Sequence, residues 1–69
     1  MNGMTALILE GTVVGYAGVR EGRLELFMDA AANRQFDELW PPKLTRDGLS
    51  ISFGGRRGAQ LVWGTAELT

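Results

Sequence analysis

Residues Val13–Met28 read VVGYAGVREGRLELFM, and this stretch decides the fold class. Polar and apolar side chains alternate through Arg23–Met28. That period places Leu24, Leu26 and Met28 on one face of a strand and Arg23, Glu25 and Phe27 on the other. Val13–Val19 is a second strand-like run, and Arg20-Glu21-Gly22 between them has turn chemistry. An antiparallel hairpin is therefore expected, with Tyr16 and Phe27 forming an exposed cross-strand aromatic pair.

Toward the N-terminus, Thr5-Ala6-Leu7-Ile8-Leu9 is nearly all apolar. Gly11 and Gly15 permit a bulge or sharp bend between this run and Val19, giving one bent strand or two. Toward the C-terminus, Asp29 is a good N-cap and Ala30-Ala31-Ala32 has strong helix propensity. Phe36, Leu39 and Trp40 then fall at i, i+3 and i+4, one apolar stripe on a helix of two to three turns that Pro41-Pro42 ends. Lys43–Gly48 reads as loop, its Asp47-Gly48 turn able to join a short strand over Lys43–Thr45 to the next. Leu49, Ile51 and Phe53 point inward from an alternating strand. A glycine-flanked tip, Gly54-Gly55-Arg56-Arg57-Gly58, leads into a last strand over Ala59–Leu68.

The order of elements predicts a mainly β (α+β) domain spanning residues 1–69. It would be a small antiparallel sheet, or an OB- or SH3-like partly open barrel, of about five strands with one short helix after the third.

Composition excludes more than it identifies. With 69 residues, the gain from apolar burial and the cost of ordering the chain nearly cancel. Small domains escape that balance through disulfides, a metal or a partner chain. There is no Cys and no His, so disulfides and thiolate or imidazole metal sites are excluded, and no metal or cofactor is expected. Association with another chain remains. No apolar run reaches membrane-spanning length, and Met1–Thr5 lacks the basic and apolar regions of a signal peptide. A soluble, cytoplasmic protein that makes no membrane contact is expected, or a virion-associated one if the gene is phage-borne.

Formal net charge is −1, so no global field draws the chain to nucleic acid. Carboxylates outnumber cations in residues 1–40, and cations outnumber carboxylates in 41–69. Such a split suits self-complementary pairing, and a solvated surface produces it more often.

The missing residue types also remove the Ser-His-Asp and Cys-His engines. Asp37 and Glu38 are adjacent, which on a helix would make them diverge by about 100°. Lys43 and Tyr16 are single groups in segments expected to be solvated. No enzyme activity is expected. Gly54–Gly58 lacks phosphate-loop spacing and leads into a strand, whereas phosphate loops open a helix.

Leu7-Ile8-Leu9 and Leu61-Val62-Trp63 are apolar on both strand faces. A thin fold buries one face of a strand, so a second layer must cover the other. The helix bearing Phe36, Leu39 and Trp40 could supply it, and so could another chain.

The expected function is a non-catalytic binding or assembly module, an accessory or inhibitor protein of the kind that phages and mobile elements encode. It would engage a protein partner, its own copies included. Leu61, Trp63, Tyr16 and Phe27 are the candidate anchors, with Arg56 and Arg57 as a cationic hairpin tip. The alternative is an OB-like single-stranded nucleic-acid binder that uses Lys43, Arg46, Arg56, Arg57 and Trp63.

Overall fold

The computed structural model describes residues 3–68, apart from the side chain of Asn33. Six strands run β1 Thr5–Leu9, β2 Thr12–Arg20, β3 Arg23–Met28, β4 Glu38–Leu44, β5 Ser50–Arg57 and β6 Gln60–Glu67. They form two three-stranded antiparallel meanders, β1-β2-β3 and β4-β5-β6. A 3-10 helix over Ala30–Arg34 links the two.

Turn chemistry makes the N-terminal sheet. Glu10-Gly11 and Glu21-Gly22 all have positive φ and connect paired residues Leu9 to Thr12 and Arg20 to Arg23. These are two-residue primed turns, whose twist matches that of the flanking strands. The apolar N-terminal run is therefore two strands and not one bent strand. Its bulge falls where β1 passes Val14, between the pairs Leu7–Gly15 and Ile8–Val13. Val14 is buried there. Tyr16 and Phe27 pair directly and are both exposed, as the alternation predicts.

The expected helix is reduced to a short 3-10 segment. Asp29 caps it through the Ala31 amide at 2.9 Å, and Ala32 and Gln35 donate three residues back to Asp29 and Ala32, both at 3.0 Å. Phe36 lies beyond it and enters the core. Leu39 and Trp40 are in β4, paired with Gly55 and Gly54. Their helical spacing with Phe36 is coincidental, because pairing with β5 gives the backbone a ladder that a short isolated helix cannot match. Pro41-Pro42 does not end a helix either. It lies within β4, at a register shift between Trp40 and Lys43. An edge-strand bulge is where a missing N–H costs least.

Other boundaries move too. The short Lys43–Thr45 strand is the end of β4, and Leu49 is 67% exposed in the turn before β5 and does not point inward. The glycine-flanked tip is strand: β5 continues to Arg57, and Gly58-Ala59 alone make the turn to Gln60.

Leu7, Leu9, Val14, Ala17, Ala32, Phe36, Ile51, Phe53 and Val62 form one core shared by both sheets. The sheets approach along β1 and β6, where the Thr5 hydroxyl donates to the Glu67 carbonyl at 3.3 Å. No ladder joins these strands among the described residues, so the barrel is not closed. β3 and β4 are left as the two far edges.

Candidate functional site

Register builds the most distinctive surface, the outer face of the C-terminal sheet. Three cross-strand rows lie on it: Glu38–Arg56–Leu61, Trp40–Gly54–Trp63 and Lys43–Ser52–Thr65. In the middle row two indoles flank a glycine. They close over it and stack, with ring centroids 5.1 Å apart and planes 24° from parallel.

Gly54 makes this possible. A Cβ there would overlap the Trp63 ring, 2.8 Å from Cζ3, and would lie 2.8 Å from the Val62 carbonyl oxygen. The Trp40 indole N–H donates to the Glu38 carboxylate, which fixes that ring in the stack. Trp63 nonetheless keeps 65% of its surface in solvent, and Leu61 beside it is also exposed. A shallow groove of about 270 Å³ runs along the pair, lined by Trp40, Pro41, Lys43, Ser52, Gly54 and Trp63 with part of Phe53. The 3-10 helix does not cover this face; its neighbour is β2. Helix cover, expected as one of two possibilities, is thus absent, and the two strand tryptophans cover each other only in part.

The arginine pair divides, because consecutive strand residues point to opposite sides of the sheet. Arg56 lies on the outer face, 3.9 Å from Asp37 and 4.0 Å from Glu38, and donates to the Gly58 carbonyl at 2.9 Å. Arg57 turns the other way. Its guanidinium sits 4.6 Å over the Phe36 ring, and it donates to Glu10 at 2.9 Å and to the Gln35 carbonyl at 3.1 Å. One side chain thereby ties β5 to the β1–β2 turn and to the end of the 3-10 helix.

The remaining candidates are dispersed. Tyr16 and Phe27 occupy the outer face of the other sheet, away from Trp63. Lys43 stands beside the indole pair, whereas Arg46 is in the exposed turn between β4 and β5. In that turn Asp47 accepts from the Leu49 amide at 2.9 Å and the Thr45 hydroxyl at 2.7 Å, which hold its carboxyl below its ordinary pKa. Sequence reasoning missed Trp40 and Gly54 as site residues. The overlooked signal was Leu39-Trp40 running into two prolines, which also describes an edge strand.

Among the described residues, no three carboxylates converge as a metal site would need, and no helix is long and apolar enough to cross a membrane. The chain matches no protein-family model, no curated protein and no solved structure.

Proposed function

We propose that the chain is a non-catalytic binding module that engages a protein partner through the outer face of the C-terminal sheet. Trp63, Trp40 and Leu61 are its anchors. The observation that carries this reading is the stacked, glycine-backed tryptophan pair with Trp63 still largely open to solvent. Large rigid aromatics lose little entropy on binding and dominate interface energetics. Arg56 would contribute modestly, since Asp37 and Glu38 already balance its charge.

A second reading rests on Lys43, which stands beside the pair in the groove. Aromatic platforms with adjacent cations hold single-stranded nucleic acid by stacking on bases. The neutralised Arg56, the inward-turned Arg57 and the net charge of −1 favour the protein partner.

The two readings separate in one pair of measurements. Affinity capture from the native host should retain a protein on the wild type and lose it on Trp63→Ser. A labelled oligothymidine should not bind at low salt. Oligonucleotide binding that weakens steeply with salt would transfer the face to the second reading. Equal protein capture by Trp63→Ser and wild type would overturn the first.

A further inference from the structure

The far edge of the N-terminal sheet carries an inference independent of the tryptophan face. Three consecutive apolar residues of β3, Leu26, Phe27 and Met28, are 37%, 47% and 44% exposed. An exposed apolar edge strand is a template for pairing, and proteins normally blunt it with proline, charged side chains or a bulge. β4, at the other far edge, has two prolines and a bulge. β3 has no proline or bulge, its two charged residues Arg23 and Glu25 lie in its first half, and among the described residues nothing pairs with its outer side.

The phase of the ladder is known. The Asp29 amide donates to the Val14 carbonyl at 2.9 Å, continuing the β2–β3 register. Bonding directions alternate along an antiparallel strand, so the N–H and C=O groups of Leu24, Leu26 and Met28 point away from β2, toward the open edge.

We propose that two copies of this chain pair β3 to β3, antiparallel, with Leu26 opposite Leu26 of the second copy. This register sets Leu24 opposite Met28 and completes about six ladder hydrogen bonds from groups already aimed outward. It also sets Arg23 opposite Asp29 of the second copy, twice by symmetry, so a cation faces a carboxylate at both ends. Neighbouring registers are worse. One brings Glu25 against its own symmetry mate and another brings it against Asp29, and like charges directly opposed destabilise a strand pair. A third, centred on Leu24, leaves Phe27 and Met28 without partners. The product is a continuous six-stranded sheet that leaves both tryptophan faces free. It deepens the self-association expected of a small binding module and does not depend on what the tryptophans bind.

Sedimentation velocity across a dilution series, with circular dichroism to confirm folding, tests the pairing. The wild type should reach dimer mass in the micromolar range. Leu26→Lys sets two ammonium groups face to face and should raise the dimer dissociation constant about tenfold. Trp63→Ser should dimerise as the wild type does, so failure of the tryptophan reading and failure of this one are distinguishable. The register has its own readout that survives a misfolded lysine variant, because the chain has no cysteine. Directly opposed residues have Cα atoms about 5.5 Å apart, and a four-residue offset along the strand adds about 14 Å. A short thiol-to-thiol crosslinker should therefore join Leu26→Cys into a covalent dimer and should not join Leu24→Cys. A wild type that stays monomeric to its solubility limit, an unchanged dissociation constant for Leu26→Lys, or preferential crosslinking at position 24 would each overturn the proposal.

Discussion

The two sheets treat their free borders in opposite ways. β4 is shielded along its edge by Pro41-Pro42 and a bulge, and its sheet shows solvent a face with two stacked tryptophans. β3 has an unshielded edge, and its sheet shows a smaller aromatic pair, Tyr16 and Phe27. One sheet exposes an aromatic face and the other an apolar edge. In the two proposals these would be separate modes of recognition, side-chain packing in one case and backbone pairing in the other. A small chain whose own burial barely balances its ordering cost could use both without conflict, because they lie on different parts of the surface.

The largest test of this contrast is at the glycines. Gly54→Ala should destabilise the fold by about 2 kcal/mol, because the new methyl meets a ring held in a stack and a ladder carbonyl. Chemical denaturation followed by tryptophan fluorescence would show both the lowered midpoint and the separated indoles. Gly22→Ala is the control in the N-terminal sheet. Its methyl meets nothing within 4 Å, and only the positive φ of 75° opposes it. About half the cost is expected there. Equal costs would mean that the tryptophan stack imposes no special constraint.

A smaller effect separates Arg57 from Arg56. Arg57→Gln gives up the Phe36 contact and the Glu10 pair and should cost about 1 kcal/mol, while Arg56→Gln should stay within about 0.5. Melting temperatures compare the two directly. Replacing Pro41 and Pro42 together by Thr should change stability less still and should increase association at high concentration, since an amide returns to the β4 edge. Light scattering that shows no such increase would remove the prolines from their shielding role.

The smallest effect is in the β4–β5 turn. The folded-state pKa of Asp47 is lowered, first by the Leu49 amide and then by the Thr45 hydroxyl. Its contribution is therefore complete above the ordinary aspartate value of about 3.9 and fades as pH falls through the lower folded value. Asp47→Asn should remove that part of the acid dependence, lowering stability slightly at neutral pH and not at all below the lower folded value. An identical acid limb for variant and wild type would count against it.

The hairpins could be read from the chain because their causes are local. Alternation in Arg23–Met28 and the turn residues Glu21-Gly22 act within a few positions of one another, and the inward faces of Ile51, Phe53 and Val62 follow from the same period of two. The tryptophan face was only half legible. Trp63 and Leu61 were visible as outward residues on a strand apolar on both sides. Their companion Trp40 was hidden, because Phe36, Leu39 and Trp40 satisfy helical spacing as well as any true helix does. Arg57 misled for a similar reason: glycines on both sides of Arg56-Arg57 suggest a tip, and only register shows that Gly54 and Gly55 lie beneath tryptophan and beside Leu39.

By itself the chain determined that this is a β protein with tight turns, without thiol or imidazole chemistry, and with more outward apolar surface than one thin layer hides. Those properties depend on residue type and near-neighbour period, which no packing can change. Tertiary structure alone decided that Leu39-Trp40-Pro41-Pro42 is an edge strand, that two distant indoles meet across Gly54, and that β3 is the unshielded border. Each of these depends on which strand lies alongside which, a choice made by burial and ladder bonds between segments far apart in sequence.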